Sequence, residues 1–346
     1  MTALMVIVLS ALLACALTAV VRSYALSRSV LDIPNARSSH SVPTPRGGGV
    51  AIVLSFLGGL VALAVLGLGM PAALFWALLG AGGGIALLGF LDDHGHIAAR
   101  WRLLGHFLTA IWALYWLDGL PVLGLFGVPV HLGFFGSVLA ALYLVWLLNL
   151  YNFMDGIDGI ASVEAICVCL GGALCYGLVM GDVLSGDSAG LYVPLLLAMA
   201  VAGFLVWNFP PAKIFMGDAG SGFLGVVVGI LSIHAAWQDP SLFWCWLVLL
   251  GVFVVDATVT LLRRLLRGEK VYEAHRSHAY QFASRQHGRH LPVTVAVLVI
   301  NLLWLLPLAV CIAEGILDGL IGVLLAYVPL VGLAIRYRAG LAEQGV

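Results

Sequence analysis

Charge is what this 346-residue chain has least of: Asp, Glu, Lys and Arg make up 10% of it, against about a quarter in soluble domains. That scarcity excludes an ordinary soluble enzyme. The formal net charge of -1 at pH 7 says nothing about nucleic acid, but no basic patch interleaved with aromatics appears, so no nucleic acid partner is expected. The six cysteines (Cys15, Cys167, Cys169, Cys175, Cys245, Cys311) form no CxxC pair and fall in apolar runs. They read as core filler rather than as disulfides or metal ligands. The phosphate-loop pattern GxxxxGK[ST] is missing, as are internal repeats, low-complexity tracts and any soluble domain. Residues 1–346 therefore read as a single integral-membrane domain.

What is there is apolar: 62% of the residues, with a mean hydropathy of +1.08. Eleven runs lie near 3–21, 47–68, 72–91, 103–118, 133–150, 160–180, 190–207, 219–237, 241–262, 292–313 and 317–335. Each is close to the roughly 20 residues that cross a bilayer. Runs of that length without strand alternation exclude a barrel, so the expectation is an all-α, polytopic transmembrane helical bundle of about eleven spans. With residue 1 outside, all 16 Lys and Arg fall on one side, in the segments holding Arg22 to Arg46, Arg100 and Arg102, Lys213, Arg263 to Arg289, and Arg336 with Arg338. The outer loops carry only acids, among them Asp118, Asp182 and Asp239. The positive-inside rule then puts the N-terminus in the periplasm and the C-terminus in the cytoplasm. LLAC, ending at Cys15, looks like a lipoprotein processing site. No Lys or Arg precedes it and Arg22 follows, so an uncleaved first span is expected.

The informative polar residues gather in five inner segments. In NLYNFMDGIDG, residues 149–159, a helix would align Asn149, Asn152, Asp155 and Asp158 along one face through their i, i+3 spacing. Four oxygen-bearing side chains at the end of a membrane helix suggest a hard cation and a phosphate; the bland alternative is a helix cap and a polar turn. Asp92 and Asp93 are adjacent carboxylates that repel and need a cation, an arginine or a raised pKa. With Arg100 and Arg102 nearby they are either a phosphate-handling site with a general base or a loop of paired acids and bases. Asp218 precedes AGSG at the start of a span, where free N–H groups suit a phosphate whose counter-cation the carboxylate holds. The alternative there is a plain helix cap.

The remaining segments are basic. Ser38, Ser39, His40 and Arg46 offer phosphate contacts or form a solvated linker. EAHRSHAYQ offers His275, Arg276 and His278, the arginine fork being suited to a pyrophosphate, while Arg263, Arg264 and Arg267 are left to anionic lipid. Glu164, inside a span, is expected to face the interior as a partner of the site. Asp256 either pairs along its own helix or reaches the site.

Five motifs in order, PTPRGGG at 43–49, LDD at 91–93, NLYNFMDGIDG at 149–159, FMGDAGS at 215–221 and HRSH at 275–278, make the chain resemble the polyprenyl-phosphate N-acetylhexosamine-1-phosphate transferases of glycosyltransferase family 4. That family includes phospho-N-acetylmuramoyl-pentapeptide transferase and the eukaryotic dolichol-phosphate counterpart. The resemblance covers nearly the whole chain, and within the family it looks most like the bacterial branch that initiates O-antigen and similar lipopolysaccharide or cell-wall glycans. It implies an enzyme of the bacterial inner membrane, with its active site in cytoplasmic loops. Such an enzyme moves a sugar-1-phosphate from a UDP-N-acetylsugar to undecaprenyl phosphate and releases UMP.

By the same resemblance Asp218 binds Mg²⁺, or alternatively Mn²⁺, with Asn149 as second ligand, and Phe215 stacks on the uracil. Asp92, with Asp93 beside it, is the base. Asp155 and Asp158 shape the nucleotide-sugar site, and Arg276 with His275 and His278 holds the pyrophosphate; Asn152 and Arg46 are further candidate substrate-binding residues on residue type. A homodimer is left open. Two departures point away from a muramoyl-peptide donor: His94, Gly95 and His96 stand where that branch has a lysine, and Ser277 replaces a histidine of the last motif. The rival reading is a transporter of an anionic solute, which would carry broken helices in corresponding positions of two similar halves.

Overall fold

The computed structural model describes residues 1–34, 42–95, 97–181, 188–269 and 275–341. Ser38, Ser39, His40, His96 and Asp182 lie outside the described residues. The chain is helical almost throughout. Helices α1 (Thr2–Ser27) and α2 (Gly49–Val65) are joined through a short antiparallel pair, β1 (Leu31–Asp32) and β2 (Thr44–Pro45). Helix α3 (Ala72–His94) contains a π turn at Leu78–Gly82, and α4 (Ala99–Leu117) follows it. A second hairpin, β3 (Leu123–Leu125) and β4 (Val128–Val130), leads into α5 (Gly133–Met154), α6 (Ile160–Met180), α7 (Ala189–Asn208) and α8 (Asp218–Gln238). The chain ends with α9 (Pro240–Leu249), α10 (Gly251–Leu266), α11 (Ala279–His287), α12 (Leu291–Ala313, with a π turn at Asn301–Leu305) and α13 (Gly319–Arg336).

Eight of these helices are long and apolar enough to cross a membrane, and nine if α9 and α10, bent by 69° at their junction, form one broken span. The expected eleven is thus not reached on length and composition. Helix α2 has 17 residues, and α4 opens on Arg100 and Arg102. The all-α, polytopic class stands, because lipid offers no partner for a backbone that does not close its own hydrogen bonds.

Helix α8 is the centre of the bundle. Its residues from Ala219 to Ala236 are all buried, packed on by α2, α3 and α5. Close approach depends on small residues, as is usual where lipid gives helices no hydrophobic reason to associate. A Cβ on Gly89 would stand 2.6 Å from the Asp218 carbonyl. This absent side chain lets the end of α3, with Asp92 and Asp93, lie against the start of α8. At the same level the first inner loop joins the fourth: Phe215 donates to Pro45 O, and Gly48 and Gly49 donate to Phe215 O and Met216 O, at 2.8–2.9 Å. Four of the motif segments therefore meet around one helix end.

Candidate active site

Helix α5 ends at Met154, so the four residues spaced i, i+3 do not share one helical face. Asp155 terminates the helix with φ -85° and ψ 43°, and Gly159 adopts φ 72° just before α6. Asn149 and Asn152 stay on the last turns of α5, whereas Asp158 belongs to the turn beyond and points elsewhere. Periodicity failed here because two glycines within four residues favour a turn over a continued helix.

The inner face of α5 meets the start of α8 in a small polar pocket. Asn152 Nδ2 donates to Asp218 Oδ1 at 2.9 Å and to Ser221 Oγ at 3.1 Å. Arg102, on the first turn of α4, pairs with Asp92 and stands 3.7 Å from Asp218 Oδ2. The two carboxylates lie side by side, an arrangement that like charges tolerate beside a cation or by sharing a proton. Asp92 also accepts from Ile97 N at 2.9 Å. His106 and Asn149, 3.4 Å apart, line the same pocket, whose volume is ≈ 30 Å³. That is space for an ion or a phosphate oxygen and far too little for a nucleotide.

Asp93 has a different job. Its carboxylate accepts from Asp218 N and Ala219 N, each at 3.3 Å. It therefore caps α8 from another helix and satisfies two of the donors that a helix start leaves open. Asp218, read as a possible cap of its own helix, is instead the capped residue, and its side chain is free to face the pocket. Arg46 donates to the Asp93 carbonyl oxygen, tying the first inner loop to the end of α3.

A second cavity of ≈ 510 Å³ is lined by Phe215, the Pro210–Pro211 turn, Asp158, Arg285, Arg289 and His290. Asp158 accepts from Ala212 N at 3.0 Å and lies 3.0 Å from His290 Nδ1. Thr294 Oγ1 donates to its carbonyl at 2.8 Å. It staples three segments together and does not join Asp218. Asp155 remains with the acidic group: burial, and then the charges of Asp218, Asp158 and Asp93, push its carboxyl well above the ordinary range.

The histidine segment is held from below. Asp256 accepts from Ala279 N at 2.9 Å and Tyr280 N at 3.0 Å and stands 3.4 Å from His278 Nδ1, which answers what this acid is for. His278 is buried and stacked between His275 and Tyr280, at 4.9 and 5.6 Å. It supports the loop and is not turned to solvent. His275 accepts from Ser277, its ring nitrogen 2.9 Å from the hydroxyl. Burial and the neighbouring His278 hold its pKa down at about 3, so it is neutral near pH 7 and serves phosphate only as a hydrogen-bonding group. Arg276 is half-buried in the same loop. The Tyr280 hydroxyl donates to Phe153 O at 2.9 Å and occupies the space that a Cβ on Gly156 would fill, so the loop is keyed to the acidic turn.

Several site residues were not picked out by sequence reasoning. Arg102 stands in the sequence only as a neighbour of the acid pair, Ser221 and Tyr280 lie inside quoted stretches without a role of their own, and His106 and His290 carry no motif signal. Asn208 accepts from Gly159 N at 3.1 Å and donates to Ile214 O at 3.0 Å, bridging the third and fourth segments; its place before a proline pair was the one available hint.

Among the described residues no three His, Cys, Asp or Glu side chains converge to hold a metal. The donors at the pocket are two carboxylates and two amides. This set suits an ion such as Mg²⁺, which keeps most of its waters and takes one or two carboxylates.

Acids and an arginine gathered at the ends of membrane helices, beside a cavity with an aromatic and further cations, define a membrane-embedded transferase of phosphorylated groups. Comparison with known proteins gives the family. The Glycosyl transferase family 4 model matches residues 75–236. A probable undecaprenyl-phosphate N-acetylglucosaminyl 1-phosphate transferase from Bacillus subtilis (strain 168) is 31% identical over 83% of this chain and 78% of its own length. An undecaprenyl-phosphate alpha-N-acetylglucosaminyl 1-phosphate transferase from Thermotoga maritima is 28% identical over 84% and 86%. A phospho-N-acetylmuramoyl-pentapeptide-transferase from Streptococcus pneumoniae (strain D39) is 31% identical over 54% and 58%. The chain belongs to the polyprenyl-phosphate N-acetylhexosamine-1-phosphate transferases and is a multi-pass membrane sugar-1-phosphate transferase.

Proposed function

We propose that this enzyme transfers N-acetylhexosamine-1-phosphate, or a deoxy form of it, from a UDP-sugar to undecaprenyl phosphate. The reaction faces the cytoplasm at the bacterial inner membrane and starts a lipid-linked surface glycan such as O-antigen. The observation that supports it most is the meeting of Asp92, Arg102, Asn152 and Asp218 in one pocket, with Phe215, three positions before Asp218 in the chain, lining the larger cavity. The pocket is sized for an ion and phosphate oxygens, the cavity for a nucleoside. The two acceptor-named relatives support the polyprenyl phosphate. The departures at His94 to His96 and at Ser277 favour a donor smaller than a muramoyl peptide.

In the reaction an oxygen of the lipid phosphate attacks the sugar-bearing phosphorus, and the bond to the uridine-bearing phosphate breaks, leaving UMP. Mg²⁺, or Mn²⁺ in its place, would be held by Asp218 and Asn149 and would neutralise charge on the diphosphate. Arg102 holds Asp92 and Asp218 close despite their charges. In this reading Asp92 is the candidate base for the lipid phosphate, although that phosphate is already largely ionised at neutral pH. Arg276 offers a planar fork to the pyrophosphate. Purified protein should release UMP from a UDP-N-acetylsugar only with undecaprenyl phosphate and Mg²⁺, and chelation should stop it. Asp218→Ala should lower the rate by roughly 10²-fold or more while the protein stays folded; unchanged turnover would remove the metal assignment.

A further inference from the structure

Within the bundle, α6 carries Glu164 and α12 carries Asn301, the first residue of its π turn. Both are buried, at 0% and 1% exposure. The Asn301 amide donates from Nδ2 to Glu164 Oε2 at 2.7 Å and to Val297 O at 3.1 Å. These two acceptors use both amide hydrogens and settle which end of the amide is nitrogen. Glu164 Oε1 and Asn301 Oδ1 are then left without a partner. Two buried acceptors cannot satisfy each other, but one hydrogen on Oε1 satisfies both. A carboxylic acid and an amide joined by one such bond can close a cyclic pair, each donating to the other.

The groups that support a charge there are both neutral: the Asn301 amide and the backbone of Phe253, in the first turn of α10, each hydrogen-bonded to the carboxylate. The groups that face Glu164 electrostatically are Tyr151 of α5, Cys167 of its own helix and Tyr327 of α13, with the Phe253 backbone of α10 beside them. None of these is a cation, and among the described residues no Lys, Arg or His pairs with it. An unpaired carboxylate inside a bundle is strongly disfavoured, and the group neutralises instead.

We infer that Glu164 keeps its proton at neutral pH and donates it from Oε1 to Asn301 Oδ1, making the pair an uncharged pin between α6, α12 and the first turn of α10. One turn further along α10, Asp256 caps α11 and holds His278. The pin is therefore a positioning device for the histidine loop, and in that part the inference rests on the transferase reading.

The test is infrared difference spectroscopy on the full-length protein in bilayers near neutral pH, with melting and kinetics on the same samples. The wild type should show a protonated-carboxyl C=O band that is absent from Glu164→Gln. That variant, whose amide makes both bonds, should melt like the wild type and keep kcat and KM within about twofold, whereas Glu164→Leu should raise KM for the UDP-sugar about tenfold or more. No difference band at the carboxyl position, or a Glu164→Gln protein as impaired as Glu164→Leu, overturns the inference. If the transferase reading itself is wrong, no protein releases UMP, while the band and the melting comparison still decide the state of Glu164.

Discussion

Single side chains at this site are assigned by their hydrogen-bond partners more than by their type. Asp92, Asp93, Asp155, Asp158 and Asp218 are chemically alike, yet in that order one pairs with arginine, one caps a helix, one is crowded by acids, one staples loops and one accepts from Asn152 in the pocket. Replacing Arg102 with leucine leaves Asp92 and Asp218 facing each other without their cation. Transfer should fall by roughly 10²-fold or more, with lysine restoring part of it, since lysine supplies the charge without the fork; initial rates on the two variants check this. Asp155 gives a prediction of opposite sign. Its folded-state pKa is raised, so the folded protein binds the proton more tightly than the unfolded chain does, and stability falls as pH rises from the ordinary carboxylate range through the raised value. Asp155→Asn should therefore melt higher than the wild type near neutral pH, and the difference should vanish in acid, where both side chains are uncharged. Melting curves across pH measure it, and a neutral-pH gain of zero would remove the crowding argument. His275 runs the other way: its pKa falls from 6.5 to about 3, so stability is lost as pH drops through that window, and His275→Gln should flatten that loss.

At the scale of elements, α8 positions the candidate site, and its start is set by a residue of another helix. Asp93→Ala removes the acceptor for the Asp218 and Ala219 N–H groups and should cost about 1 kcal/mol of stability, as lost caps usually do. It should lower transfer more than that figure implies, because Asp218 then has no fixed position; Asp93→Asn, which can still accept, should recover most of the stability. Tyr280→Phe should act similarly from the other side, freeing the Phe153 carbonyl and loosening the histidine loop from the acidic turn. Melting and KM for the UDP-sugar separate these effects. The break between α5 and α6 was open to misreading for a local reason. An i, i+3 spacing of polar residues is what a helix face requires, but DGIDG is also what a glycine turn requires, and only the packing of Tyr280 against Gly156 selects between them. The capping role of Asp93 was hidden for a different reason: its partners are 125 residues away in sequence.

For the whole molecule, an orientation with the N-terminus outside and every Lys and Arg on the inner side can be checked by reporters fused after residue 346 and within the loop at 118–132. Activity expected of a cytoplasmic reporter should appear only in the first. The chain by itself determined that it crosses a membrane repeatedly as helices and which motif segments are the candidates for the site, since apolar length, charge asymmetry and residue spacing are local quantities. Only the tertiary structure decided how the five acids divide their work, that Arg102 joins two of them, that Asp158 serves the larger cavity, and that Glu164 meets Asn301. Those outcomes depend on which distant helices come into contact, and contact between helices in lipid is settled by the fit of small residues and the pairing of buried polar atoms, neither of which any one stretch of sequence contains.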